Sequence, residues 1–231
     1  MRRRASIPIA LAGLAAILAL GALGLLGQDG PDEGASPSGR REVLPPPTTD
    51  GGMGLAAALS QRRSVRSFSG TPLTAAEIGQ LLWAAQGVTD PAGHRTTPSA
   101  GATYPLEVDI VTFDGVARYQ PAEHALIWRL AGELRPALRE AALDQAAISD
   151  APLVIVVSGV TVRTAARYGD RAQRYVTLEA GHAAQNVLLQ VTALGLGAVP
   201  IGSFDDEAVR RVLRLEADEA PLYLVPVGRQ D

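Results

Sequence analysis

The sequence predicts an α+β or mixed α/β domain built around one central sheet. Three observations point there. Helical and strand patterns alternate through the body, and no period of about 20–50 residues recurs, which excludes a solenoid. The run Pro152 to Ser158 (PLVIVVS) is apolar throughout and bounded by breakers, as suits a strand covered on both faces. Thr74-Ala75-Ala76-Glu77 reads as a capping box, and the stripe Ile78, Leu81, Leu82 and Ala85 follows it at helical spacing.

Taken in order, residues 55–61 read as a short helix. The capped helix runs on to Gly87, placed where a left-handed cap would stand. Leu106, Val108, Ile110 and Thr112 alternate, giving a strand over 106–113 with one buried face. Residues 133–147 read as a helix, and 152–158 as the buried strand. A long helix spans about 165–194. Its middle, Glu179 to Asn186, is built of small residues with a few polar ones, and Glu179 and Asn186 share a face. Gly195 serves as a helix C-cap. Residues 199–201 form a short strand, Asp205 or Asp206 caps a helix ending near Leu213, and residues 222–227 form a last buried strand.

Ahead of this body, Arg2, Arg3 and Arg4 precede an uncharged apolar run from Ile7 to Leu26. Twenty helical residues rise about 30 Å, enough to cross a hydrocarbon core. Residues 1–27 are therefore expected to be a signal anchor, or else a cleaved signal peptide. The basic flank keeps that end in the cytoplasm, so the body is expected outside it. Residues 28–54 are rich in Asp, Gly, Ser and Pro and read as a disordered linker, leaving 55–231 as the folded domain.

Composition removes several chemistries. At 47% apolar and 19% charged residues the chain is too hydrophobic to be disordered throughout. All 21 basic residues are arginine, which excludes Schiff-base and phosphate-loop lysines. There is no cysteine, which excludes disulfides, thiolate metal sites and thiol catalysis. Residues 1–42 hold five Arg against four acids, leaving 16 Arg against 20 acids, a net of −4, in the rest. An acidic body with 4% aromatic residues lacks the basic face and stacking platforms of a nucleic-acid binder. His94, His124 and His182 are widely separated, so no metal site is expected.

Three segments are left to carry chemistry. Arg62-Arg63-Ser64-Val65-Arg66 is the densest basic cluster of the body, either a phosphate grip or a solvated surface turn. Thr96 to Pro105 is small and hydroxyl-rich, either a loop whose amides approach a ligand or an ordinary connection. Gly195 to Ser203 joins helix to strand, with Gly202-Ser203 suited to a flat ligand. Arg229 adds a cation after the last strand, or is a frayed terminal residue.

Together, RRSVRSF at 62–68, PLTAAEIGQLLWAAQG at 72–87, PSAGATYPLEV at 98–108, EAGHAAQNVLLQVTALGLGAVPIGSF at 179–204 and PVGR at 226–229 resemble the nitroreductase-like flavoprotein family, in particular its SagB-type dehydrogenase branch. The resemblance implies an α+β fold, a central mixed sheet flanked by helices, in an intertwined homodimer with FMN at the subunit interface. It assigns Arg62, Arg63, Ser64 and Arg66 to the FMN phosphate, ribityl chain and ring edge. It assigns Pro98, Ser99, Ala100, Gly101 and Ala102 to a loop lining the flavin, Pro200, Ile201, Gly202 and Ser203 to the ring face, and Arg229 to the phosphate. Many nitroreductases have Asn at the position of Ala102 and an acidic residue near Gly202; the PSAGA loop is of the SagB kind. That branch is similar to azoline oxidases, which remove hydrogen from thiazolines and oxazolines in modified peptides.

The implied activity is hydride transfer through flavin N5, to or from a small organic substrate, with an electron donor such as NAD(P)H. No acid or base is assigned; Tyr104, Tyr168 and His182 are candidates. The alternatives are a membrane-tethered flavin- or ligand-binding protein without turnover, and a structural partner with no flavin.

Overall fold

The computed structural model describes residues 39–230. The membrane or signal helix expected over 1–27 lies outside them. Among the described residues, no helix is long and apolar enough to cross a membrane.

The chain opens on a strand, β1 (Arg41–Val43), then a short helix α1 (Leu55–Gln61) and the capped helix α2 (Ala75–Gln86). A three-strand meander follows: β2 (Leu106–Thr112), β3 (Gly115–Gln120) and β4 (Ala125–Ala131). Two short helices, α3 (Arg135–Ala141) and α4 (Ala147–Asp150), lead into β5 (Leu153–Val160). Helices α5 (Thr161–Tyr168) and α6 (Ala172–Ala193) precede β6 (Gly197–Ala198), α7 (Asp206–Leu213) and β7 (Glu219–Gly228). The seven strands form one sheet in the order β1-β4-β3-β2-β5-β7-β6.

Every residue of β5 is buried, as its unbroken apolar run predicts. It lies between β2 and β7, and helices cover both faces. On one side Leu81, Leu82 and Ala85 of α2 and Val187, Leu188 and Val191 of α6 pack on Val108, Ile110, Ile155 and Val225. On the other, Leu138, Ile148, Val209 and Leu213 from α3, α4 and α7 pack on Val111, Val154, Val156 and Leu224. The fold is an α+β sandwich of helix, sheet and helix layers.

Several expectations are corrected. The sheet is antiparallel in every strand pair, not mixed. The mixed sheet is implied by the family resemblance, and β3 and β4, which the sequence patterns do not mark, return the chain directly by tight turns. Part of the stretch expected to be a disordered linker is ordered. Arg41 pairs with Ile127 and Val43 with Ala125, Leu44 is buried in the core, and the Thr48 amide donates to Gln80 Oε1 at 2.8 Å. Pro45, Pro46 and Pro47 follow the strand instead of interrupting it. The helix expected over 133–147 is two, parted at Leu143 and Asp144, whose φ angles of 57° and 59° end a right-handed helix. The long helix is likewise broken, by a 3₁₀ turn over Gly169–Arg171. Gly87 is extended (φ −63°, ψ 146°), not left-handed; glycine is required because a Cβ there would stand 2.1 Å from Trp83 Cδ1. The strand expected at 199–201 is only a single bridge between Ile201 and Leu224, the ladder itself being Gly197–Ala198.

The two predicted N-caps form. Asp205 accepts from the Ala208 amide at 2.8 Å. Thr74 Oγ1 accepts from the Glu77 amide at 3.2 Å, and Glu77 Oε2 accepts from the Thr74 amide at 2.8 Å. Thr74→Ala removes half of this box and is expected to lower stability by about 1 kcal/mol in urea unfolding, while Thr74→Ser is nearly neutral.

Candidate functional site

The arginine segment leaves α1 at Arg62 and runs extended beside the sheet edge. The Val65 amide donates to Ala198 O at 2.9 Å, making a parallel bridge between Ser64 and Ala198. Farther on, the Ser69 amide donates to Arg229 O at 2.9 Å. Residues 62–69, β6 and the end of β7 are thereby laced together. The close approach explains Gly197: a Cβ there would stand 2.8 Å from Val65 Cγ1.

The cations here are not equivalent. Arg63 donates from Nη1 to Ser60 O and Arg62 O at 2.9 and 2.8 Å, so it caps the carbonyl end of α1. Arg229 grips Glu77, Nη2 to Oε1 at 2.9 Å and to Oε2 at 3.1 Å. Burial works against the Glu77 carboxylate, but the Thr74 amide and hydroxyl and Arg229 outweigh it and hold its pKa below the ordinary value. The guanidinium groups of Arg62 and Arg66 make no hydrogen bond or ion pair among the described residues, and Arg66 and Ser64 are exposed. Two unneutralised guanidinium groups beside a hydroxyl can take an anion with several oxygens. Pro200 to Ser203 follow β6 along the same edge. Ile201 exchanges backbone hydrogen bonds with Leu224 at 2.8 and 2.9 Å, and Gly202 and Ser203 are exposed.

The second segment is a strained loop. Ala100–Ala102 is a single 3₁₀ turn, and Gly101, Ala102 and Tyr104 have φ of 61°, 53° and 45°. Two non-glycine residues in left-handed conformations within three positions must be held by their surroundings. Ser99 Oγ accepts from the Tyr104 amide at 2.9 Å, Arg167 Nη1 donates to Gly101 O at 3.1 Å, and the Thr103 and Thr164 hydroxyls pair at 2.8 Å. From α6, Asn186 Nδ2 donates to Thr96 O and Thr97 Oγ1 at 3.3 and 3.1 Å. Glu179, on the same face as its spacing predicts, sits under Ser99 and Ala100 with 3% exposure. Burial pushes its carboxyl up to about 7, against the opposing pull of the Ser99 hydroxyl, Arg95 and the Ala100 amide. Its Oε1 has no hydrogen-bond partner.

Among the other candidates, Tyr104 lies under Arg95, whose Cζ is 4.3 Å from the ring centroid. Tyr168 packs edge-on against Tyr175 at 5.0 Å, and His182 is exposed on the outer side of α6. None of the three is brought to the arginine segment by a contact in the structure.

The two halves of the predicted site stand at opposite ends of the sheet. The loop feeds β2 where Leu106 pairs with Gly159 and the Val160 amide donates to Pro105 O at 2.8 Å. The arginine segment and Arg229 adjoin the other end, where Leu153 pairs with Val227 and Gly197 with Gly228. Between them runs the eight-residue β5, about 24 Å long. One chain therefore gathers Arg62–Arg66, Pro200–Ser203 and Arg229, and leaves Pro98–Ala102 apart from them. Sequence reasoning read Glu77 only as half of a capping box and gave Arg95 no role, and for Glu179 the shared face with Asn186 was the available signal.

The nitroreductase family model matches residues 59–229. A Methanocaldococcus jannaschii protein provisionally named a nitroreductase is 46% identical over 182 residues, covering 76% of this chain and 91% of that protein. The crystal structure of a Ralstonia eutropha protein, also provisionally named a nitroreductase, superposes with a TM-score of 0.77 at 30% identity, over 83% of this chain and 90% of the other. The NADPH:FMN oxidoreductase of Vibrio harveyi, solved with NAD+, shares the fold with a TM-score of 0.59 at 22% identity, over 77% and 69% of the two chains. With the family pattern spanning nearly the whole described body and a relative this similar over most of its length, the chain belongs to the nitroreductase family.

Proposed function

We propose that this chain is an FMN-dependent oxidoreductase acting on a small organic substrate, with NAD(P)H as electron donor, and that it works as a homodimer. The observation that carries the reading is the pair of unneutralised guanidinium groups, Arg62 and Arg66, beside the Ser64 hydroxyl at the β6 edge. Their donor set fits a phosphomonoester, which carries up to two charges and three acceptor oxygens. When bound, FMN supplies hydride transfer at its N5. The chain's own residues bind and orient it: Arg62, Arg66 and Ser64 take the phosphate end, and Gly202 and Ser203 leave a flat, side-chain-poor surface for the ring. Arg229 joins the phosphate side with its charge already shared with Glu77.

Two copies are needed because the loop Pro98–Ala102 cannot reach the arginine segment of its own chain. A twofold pair in which each loop faces the partner's arginine segment completes both sites at once. The outer face of α6, with Leu178 exposed and no side chain at Gly181, supports close approach of a second copy there. Within the family we favour the SagB-type branch, on the PSAGA loop with Ala102.

The test is FMN binding by the full chain, followed by visible absorbance and flavin fluorescence. Wild type is expected to be yellow. Arg62→Ala with Arg66→Ala removes two charge-assisted contacts of about 1.5–3 kcal/mol each and is expected to weaken FMN at least about 100-fold with the circular dichroism unchanged. Unaltered flavin occupancy in that double variant would overturn the phosphate assignment. Flavin that is reduced by NADPH but reoxidised by no acceptor faster than by oxygen would favour a binding protein without turnover.

A further inference from the structure

A small cavity lies behind the loop that ends at Tyr104. It has a volume of about 130 Å³, and its polar walls are Gln86, Arg95, Glu107, Tyr119, Gln120 and Arg163. Gln86 is fully buried, and its orientation is settled by its neighbour: Arg95 Nη1 donates to Gln86 Oε1 at 2.9 Å. The amide nitrogen must then point away from Arg95, and it has no hydrogen-bond partner. A buried donor left unsatisfied costs about 1–3 kcal/mol, so this wall calls for an acceptor.

Two of the acceptors in its walls, Glu107 and Tyr119, are already engaged, and no hydrogen bond joins the Gln86 amide nitrogen to any of them. Glu107 is bonded by Arg163 through one oxygen and lies 3.6 Å from Arg118 through the other. The Tyr119 hydroxyl is paired with His124 Nδ1 at 2.8 Å. Arg95, by contrast, makes no ion pair among the described residues; only Gln86 and the Tyr104 ring meet its guanidinium. Burial lowers its pKa and the Arg163 charge adds to the lowering, offset in part by Tyr104, Glu107 and Glu179. The lining thus holds two cations and one carboxylate, with donors in excess. Arg163 is exposed, which gives the cavity a mouth.

We propose that this cavity binds a small monovalent anion, a halide or a short-chain carboxylate such as acetate, between Gln86 Nε2, Arg95 and Arg163. The volume equals about four waters, which admits two or three carbons and excludes a nucleotide or a sugar phosphate. The carboxylate of Glu107 in the wall selects against a dianion. The site is distinct from the arginine segment and does not depend on flavin. Arg95 stacks on Tyr104 and Arg163 Nη1 donates to Tyr104 O at 3.3 Å, so a bound anion would draw together both groups that pin the end of the strained loop.

The probes are bromide and acetate, added to the full chain at constant ionic strength with gluconate, too bulky for the cavity, as the balancing ion. The thermal midpoint is expected to rise saturably with either probe and not with sulfate. Crystals soaked in bromide should show an anomalous peak within hydrogen-bonding reach of Gln86 Nε2. Gln86→Glu gives Arg95 a carboxylate partner and places a like charge against the anion; it is expected to weaken both probes about tenfold or more. Arg163→Met, at the exposed mouth, tests the same point with little risk to folding and should also weaken them by about tenfold. A cavity holding only water in bromide, or a probe response unchanged in the two variants, would overturn the proposal.

Discussion

Asp109→Ala is expected to lower the stability of this protein by about 3–5 kcal/mol, a large part of the 5–15 kcal/mol typical of a domain. Asp109 is fully buried on β2, and two arginines close on it: Arg118 Nη2 on Oδ2 at 2.6 Å and Arg129 Nη1 on Oδ1 at 3.0 Å. Arg118 also donates to Glu219 Oε1 at 2.6 Å, and the Ser158 hydroxyl donates to the same oxygen. The network joins β2, β3, β4, β5 and β7 across the face of the sheet. The pairing itself contributes little net stability, because removing the charges from water offsets most of their attraction. Removing one member is different, since Arg118 and Arg129 are only 14% and 21% exposed and would be left underpaired. Asp109→Asn keeps the shape and two acceptor lone pairs and should cost less than the alanine variant. Urea unfolding at neutral pH separates the cases; a loss under about 1 kcal/mol for Asp109→Ala would mean that both arginines swing out to water.

The same network explains why part of the sheet escaped sequence reasoning. β5 and α2 were legible because their burial follows one simple pattern, an unbroken apolar run and a capped amphipathic stripe. β3 and β4 carry Arg118 and Arg129 at positions that an arginine marks in sequence as solvent-facing, although both side chains close on the buried Asp109. Their carboxylate partners lie 9 to 101 residues away, and no local pattern announces a pairing at that distance. The turn at Asp114-Gly115 carried a usable hairpin signal. β1 was hidden for another reason: a three-residue strand flanked by glycines and prolines has the composition of a linker, and only its partner β4 makes it a strand. The candidate site divides in the same way. Its arginine segment, loop and Gly-Ser edge were readable as motifs, whereas their distribution over two ends of one sheet is a matter of register. The engagement of Arg229 by Glu77, a residue already visible as half of a capping box, was not legible from either motif alone.

Glu179→Gln is expected to make the protein more stable above pH 7 and to change little below pH 4.5. In the folded chain burial lifts the Glu179 pKa from its ordinary value of 4.5 to about 7. Between those limits the folded state holds a proton that the unfolded chain has released, so stability falls as pH rises through the window. The favourable contribution is complete below 4.5 and lost once pH passes about 7. A displacement of that size corresponds to about 3 kcal/mol. Glutamine stays neutral throughout and can turn its one side-chain oxygen to the Ser99 hydroxyl and the Ala100 amide, in place of the carboxylate oxygen that meets them, so it keeps the acceptor without the buried charge. Paired urea titrations at pH 4.5, 6 and 8 should show wild type losing stability along that series relative to the variant, with the difference greatest at pH 8. Lower stability of Glu179→Gln at pH 8 would sink this account, because it would mean that attraction to Arg95 and the two loop donors exceeds the desolvation of the carboxylate. The outcome bears directly on the loop. Ionised Glu179 is the stronger acceptor for Ser99 and Ala100, so raising the pH through 7 tightens the grip on the left-handed residues Gly101 and Ala102 while weakening the domain that supplies it.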